Sequence, residues 1–246
     1  MPLGRVGSSI RDSLVGTISV ASDVVQATIG VTKDSTVNTL KGARDVVQEA
    51  TSLVGDTITG AVQAANETGT GIASTAKGAV IGTIRGVGEV GTVTTGVLSE
   101  TIRSAIKGTS EVGGDIGGAT RGAAEGVASV TKGVGLALQD ASFSVAIAAI
   151  QGTKDVGANL GNTAKHTVQG TIKGAAEVSG DAMSAVYGTA HGLIKGTADV
   201  GGDVAEVARS TAHGAISITK DLNLSVQDMA FSVSKGAIEG TKDVGA

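Results

Sequence analysis

The sequence predicts an all-α fold built from an extended, amphipathic helical repeat. An eleven-residue (hendecad) period runs without a shift from residue 7 to the C-terminus, and a doubled period of 22 residues lies over it. The 246 residues include 39 Gly, 1 Pro and three aromatic residues. Such a composition excludes a core built on aromatic rings, and the single proline, Pro2, interrupts no helix.

Charged residues mark the eleven-residue period most clearly. One column holds 14 of the 23 acidic residues, from Asp12 to Asp243, and the column before it holds 11 of the 19 basic residues. Eleven residues make three helical turns at about 3.67 residues per turn, so each column keeps a nearly constant direction. The Val, Ala, Thr, Ile, Leu and Gly columns then share an arc of roughly 160°, opposite a polar face.

The longer periods appear as copied segments. Near-copies of Ile-x-Gly-Thr-x-acid-Val-Gly begin at Ile106, Ile150, Ile194 and Ile238, and the aromatic residues Phe143, Tyr187 and Phe231 lie 44 apart. We therefore predict an N-terminal tail, residues 1–6, and a continuous array of about 22 eleven-residue units over 7–246. A β-solenoid is the weaker alternative, because apolar residues do not alternate along the segments.

The array fits one long helix or several helices folded back on each other. The candidate bends are the glycine pairs Gly113-Gly114, Gly117-Gly118 and Gly201-Gly202. Each glycine inside a helix is up to about 1 kcal/mol less favourable than alanine, so such a helix is unstable alone in water. A lipid surface or other helices must therefore cover the apolar arc.

Two sets of residues are predicted to contact that covering surface. Basic side chains suit the edge of the arc, because their methylenes can lie on apolar surface while the charge stays in water. The lipid- or partner-facing residues are Ile84, Ile106, Ile150, Ile172, Ile194, Ile216 and Ile238. The interfacial basic residues are Lys33, Arg44, Lys77, Arg121, Lys132, Lys154, Lys165, Arg209, Lys220 and Lys242.

The repeat units are similar to those of known lipid-binding families. Gly152-Thr-Lys-Asp-Val156 and Gly240-Thr-Lys-Asp-Val244, set among Thr, Val and Gly, resemble the repeat regions of perilipins. The basic-then-acidic step and the Val/Ala/Thr arc are similar to those of synucleins. The resemblance implies a chain that is disordered in solution and becomes helical while coating lipid droplets or membrane surfaces.

The competing prediction is a self-assembling bundle or filament of glycine-rich helices. Gly114, Gly118, Gly122 and Gly126 form a ladder of small residues that lets helix backbones approach closely. Ice binding is a minor alternative, suggested by Thr109, Thr120, Thr131 and Thr153 at multiples of eleven residues.

No residue pattern indicates an enzyme, a cofactor or a metal site. Gly86-Val-Gly-Glu-Val-Gly91 matches G-x-G-x-x-G but lacks the preceding strand, and His166, His191 and His213 are expected on a solvated face. With a net charge of −4 we expect no nucleic acid partner, and no small-molecule substrate. We expect a cytoplasmic chain, peripheral to a membrane or lipid droplet, without a signal peptide or transmembrane helix.

Overall fold

A computed structural model describes residues 4–18, 23–41, 46–178 and 180–245, and over these residues the fold is all-α. This confirms the predicted fold class. Within those ranges the helices are α1 (Arg5–Ile18), α2 (Val24–Leu40), α3 (Val46–Thr68), α4 (Ile72–Val90), α5 (Thr95–Glu111), α6 (Ile116–Val130), α7 (Leu138–Asp155), α8 (Leu160–Glu177), α9 (Ala182–Asp199), α10 (Val204–Thr219) and α11 (Val226–Lys242). A short 3₁₀ turn, Thr131–Val134, follows α6.

The 22-residue period is one helix plus one turn. From α6 onward every helix begins 22 residues after the previous one, from Ile116 to Val226. The 44-residue repeat is therefore a pair of helices. The chain folds back at each turn instead of forming one long helix.

Glycines end three of the four helices that carry the Gly-Thr-x-acid-Val-Gly motif, α5, α7 and α9. Gly113, Gly157 and Gly201 have φ angles of 67°, 68° and 66°, a left-handed conformation that glycine adopts without strain. The amide of the next residue then donates to a carbonyl inside the helix, as from Gly202 to Thr197 at 2.8 Å. Two of the candidate glycine bends are thus turns, whereas Gly117-Gly118 lies inside α6.

Short polar residues begin several of the helices, also at 22-residue intervals. Asn159, Asp181, Asp203 and Ser225 immediately precede α8 to α11, and each side chain accepts a hydrogen bond from an amide of the first turn. This cap satisfies one of the amides that a helix start leaves without a partner.

The helices are stacked in two layers. Each helix packs most closely on the helix two positions along the chain, so odd-numbered helices form one layer and even-numbered helices the other. Contacts between consecutive helices join the layers. This arrangement is a stacked repeat, in which each unit contacts mainly its neighbours.

Glycines set a constant register between stacked helices. A Cβ added at Gly122 would lie 2.0 Å from the carbonyl oxygen of Ala73, and one at Gly192 would lie 2.4 Å from that of Phe143. In both pairs the glycine rests on the backbone 49 residues earlier. The same packing recurs at Gly126, Gly170, Gly174, Gly188, Gly214, Gly236 and Gly240.

The threonines considered for ice binding lie inside the molecule. Thr109, Thr120 and Thr131 are at most 2% exposed, and each hydroxyl donates to the carbonyl four residues earlier. Thr153 donates to the hydroxyl of Thr163 at 2.9 Å. Buried hydroxyls of this kind offer no surface to ice.

Candidate functional site

Most of the isoleucines predicted to face lipid or a partner are covered by the chain itself. The folded-back helices bury the apolar arc, which corrects the expectation that a separate surface covers it at these positions. Five of the seven are no more than 1% exposed: Ile84, Ile106, Ile150, Ile172 and Ile194. The other two, Ile216 and Ile238, are 42% and 57% exposed.

The two exposed isoleucines lie at the C-terminal end of the stack. Ile238 on α11 occupies the position of Ile194 on α9, where Gly240 of the next helix would bring a Cβ within 2.8 Å of the isoleucine Cβ. No helix of the described chain covers α11 in the same way. Phe231 is likewise 70% exposed. Ile216 of α10 with Phe231, Lys235 and Ile238 of α11 form what we call the C-terminal face.

The described residues exposed at the opposite end of the stack include no large apolar side chain. On α2 the exposed positions are Gln26, Gly30, Asp34 and Asn38, and Ser9 is exposed on α1. These residues form the N-terminal face. A polar outer face of this kind is typical of the capping repeats of stacked-helix proteins.

Where the structure describes side chains, the exposed large apolar ones lie at the end that carries the C-terminal face. Among the residues that the structure describes, they are Ile216, Val226, Phe231, Ile238 and Val244. A surface with so uneven a distribution of apolar residues is typical of an interaction site.

The aromatic residues lie in the last three odd-numbered helices, toward the end that carries the C-terminal face. Phe143 lies on α7 and Tyr187 on α9, and α9 packs between α7 and α11, which carries Phe231. The His191 ring lies 4.6 Å from that of Phe143, and its Nε2 atom is 2.7 Å from Oδ2 of Asp243. The structure therefore corrects the expectation of a solvated histidine, because His191 holds the end of α11 against α9.

Lys235 of the C-terminal face also turns back onto α9. Its Nζ lies 5.3 Å from the centre of the Tyr187 ring, a favourable position for a cation over an aromatic face. A depression of about 330 Å³ lies here, lined by residues that include Tyr187, Phe231, Ser232 and Lys235.

A second cluster of functional groups joins α4, α6 and α8. Nζ of Lys77 lies 2.7 Å from a carboxylate oxygen of Glu125 and 2.7 Å from one of Glu177, and Nζ of Lys173 lies 2.9 Å from Glu125. Glu125 is only 4% exposed. Lys77, predicted as an interfacial residue, thus pairs with acids across three stacked helices.

The pKa values of the two carboxyl groups in this cluster are shifted in opposite directions. Burial raises the pKa of Glu125, but the hydrogen bonds from Lys77 and Lys173 outweigh it and the pKa is lowered. Burial and the neighbouring Glu125 raise the pKa of Glu177. The ionised Glu125 therefore stabilises the fold above the unfolded-state pKa, and this contribution is lost as the pH falls through the lower folded-state pKa. The raised pKa of Glu177 acts in the opposite direction: its contribution to stability is present at low pH, where the carboxyl is protonated, and is lost as the pH rises through the folded-state pKa.

The remaining predicted basic residues do not line a common apolar border. Nζ of Lys33 pairs with Glu89 at 2.6 Å, Lys165 is half-buried, and Arg44 lies outside the described residues. The exposed ones are Arg121, Lys132, Lys154, Arg209, Lys220 and Lys242. They are spread over both layers, because successive units of the period lie on different helices.

The four glycines of the predicted ladder have different roles: some pack against α4, and Gly114 lies in the turn before α6. Gly122 and Gly126 press on the backbone of α4, where an added Cβ would lie 2.9 Å or less from a carbonyl oxygen. Gly114 precedes α6, and its Cβ would meet the Ile72 side chain at 2.5 Å. Gly118 has only ordinary contact with α4, at 3.8 Å from the Ala73 Cβ.

The residues considered for enzyme chemistry are dispersed. Gly86–Gly91 lies at the C-terminal end of α4, without a preceding strand. His166 is half-buried, and burial lowers its pKa, whereas His213 is exposed. No group of three His, Cys, Asp or Glu side chains in the described ranges is placed to hold a metal ion.

No helix in the described part of the chain combines the length and apolar character needed to cross a membrane. No protein-family model and no curated protein match the chain. Among solved structures, it is similar to the crystal structure of DHR7, a de novo designed helical repeat protein. That similarity covers 71% of this chain and 95% of the other, with 18% identity and a TM-score of 0.42, too low to support an inference about function.

Proposed function

We propose that this chain is a non-enzymatic structural protein of stacked helices that self-assembles through its C-terminal face. The observation that carries the proposal is the contrast between the two ends of the stack. Ile216, Phe231 and Ile238 are exposed at one end, whereas the described residues exposed at the other end include no large apolar side chain. The proposal develops the bundle-or-filament alternative that the sequence predicts.

The exposed residues of the C-terminal face include large apolar side chains, which supply much of the binding energy in protein interfaces. Burying a large apolar side chain fully is worth about 1.5–3 kcal/mol, and a few central anchors supply most of the binding energy in many interfaces. Within the stack, the equivalent residues Ile172 and Ile194 are at most 1% exposed. A helix placed on the C-terminal face would restore the contacts that the interior repeats already have.

Light scattering after size-exclusion chromatography tests the proposal over a dilution series. We expect the wild-type chain to exceed the monomer mass of 23.9 kDa and to dissociate on dilution. The double substitution Phe231→Asp and Ile238→Asp should leave a monomer with an unchanged circular dichroism spectrum. Both residues are more than half exposed, so the fold does not depend on their burial.

A matched control places the same two charges at the other end of the stack. Ser9→Asp with Asn38→Asp should leave the wild-type assembly intact, since both residues lie on the N-terminal face. A wild-type chain that stays monomeric at every concentration overturns the proposal. If that monomer binds phospholipid vesicles and gains helix on them, the lipid-coating function implied by the sequence resemblance is favoured instead.

A further inference from the structure

We infer that the assembly is a closed, two-fold dimer in which α11 pairs antiparallel with α11 of a second copy. This inference rests on the proposed function and specifies its partner. The exposed side of α11 carries Asp228, Phe231, Lys235, Ile238 and Lys242. Their spacings of three and four residues are those of helices that pack side by side along a common stripe.

The stripe is complementary to itself when one copy is reversed. A two-fold axis at Lys235 places Asp228 opposite Lys242 of the second copy, because both lie seven residues from the axis, about 10.5 Å along the helix. Phe231, four residues from the axis, then lies within about one residue, roughly 1.5 Å along the helix, of Ile238 of the second copy, which is three residues from the axis. Two apolar pairs are thus flanked by two pairs of opposite charge.

The residue on the axis is also accommodated. Two facing lysines would repel each other, but Nζ of Lys235 lies 5.3 Å from the centre of the Tyr187 ring on its own α9. The charge is therefore drawn back from the axis, and the lysine methylenes can lie on the interface.

An open filament is disfavoured by the N-terminal face. Head-to-tail stacking that continued the two layers would press α2 of one copy onto α10 of the next, where the interior even-numbered helices carry glycines such as Gly170 and Gly214. On α2 the exposed positions include Asp34 and Asn38. Burying an unpaired carboxylate against α10 is unfavourable, so the polar end limits growth beyond two copies.

Charge reversal tests the pairing. Asp228→Lys and Lys242→Asp each place like charges opposite each other, and each should weaken dimerisation at least tenfold. An equimolar mixture of the two variants should dimerise as tightly as wild type, because the heterodimer restores both opposite-charge pairs. The double variant Asp228→Lys with Lys242→Asp should also recover the wild-type affinity.

The outcomes separate this inference from the proposed function. If the Phe231→Asp, Ile238→Asp variant loses assembly but the mixture of the two charge-reversal variants does not regain it, the self-assembly proposal stands and the antiparallel dimer is overturned. Polymers that lengthen with concentration also overturn it. A wild-type chain that is monomeric throughout overturns both. Unchanged circular dichroism of each variant ensures that unfolding does not imitate a weakened interface.

Discussion

Gly192→Ala tests the close packing that sets the register of the stack. Gly192 of α9 rests on α7, where an added Cβ would lie 2.4 Å from the carbonyl oxygen of Phe143 and 2.8 Å from the Cβ of Ala146. Ordinary contact begins at 3.4 Å. The two helices must therefore separate locally by about 1 Å, which weakens the dispersion contacts around the site.

Two effects of opposite sign decide the result. Alanine is favoured over glycine inside a helix by about 1 kcal/mol. Forcing an extra methyl group into a close-packed site costs about 1–3 kcal/mol, and here the obstructing atoms belong to backbone and Cβ positions that cannot rotate away. The clash outweighs the helix preference, so we expect Gly192→Ala to destabilise the protein by about 1–2 kcal/mol.

Urea denaturation followed by circular dichroism measures the effect against a matched control. Gly30 of α2 is also helical, but an added Cβ there meets nothing within 4 Å. Gly30→Ala should therefore stabilise the protein by up to about 1 kcal/mol. The reasoning is refuted if both substitutions stabilise equally, because the helices then do not meet at Gly192.

Four further substitutions probe the charge cluster and the helix ends. Glu125→Gln should destabilise the protein by about 2 kcal/mol at pH 7, since Lys77 loses a buried carboxylate partner. Urea denaturation at pH 7 and pH 4 should also show that this variant loses less stability on acidification than the wild type does. Gly201→Ala should cost about 1 kcal/mol in the same assay, because its φ of 66° is left-handed. Asp203→Ala should remove the cap of α10 and cost about 1 kcal/mol, whereas Ala137→Asp should supply α7 with a cap and raise the melting temperature.

Each of these expectations has a contradicting result. A Glu125→Gln variant as stable as wild type at pH 7 would mean that the buried ion pairs add no net stability. Equal stability of Gly201→Ala and wild type would contradict the left-handed turn. If Ala137→Asp destabilises as much as Asp203→Ala, then residue 137 does not precede a helix.

The helical class was predictable because the eleven-residue period is a property of the chain alone. The places where the helices end were harder to find, since the period continues through the turns without a shift. Gly113, Gly157 and Gly201 share the Val-Gly end of a motif that the sequence displays, and each is a helix end. A cap residue such as Asp203, two positions after that glycine, is the additional signal that marks the next helix start.

The candidate site could be predicted only in part. Periodicity identifies Ile194 and Ile238 as equivalent, but it does not indicate that one lies under the next helix and the other at the end of the stack. Their exposures of 1% and 57% follow from the order of the helices. Likewise, the Phe143–Tyr187–Phe231 column is visible in the sequence, whereas the contact of His191 with Asp243 arises only when α9 and α11 are stacked.

Hydrogen–deuterium exchange of the pure protein without lipid tests the central claim, that the chain covers its own apolar arc. Amides of α4 to α9, which contain Ile84, Ile106, Ile150, Ile172 and Ile194, should exchange slowly in plain buffer. Adding vesicles should leave that protection unchanged. Exchange at unfolded-chain rates in buffer, with protection gained only on vesicles, would contradict the account.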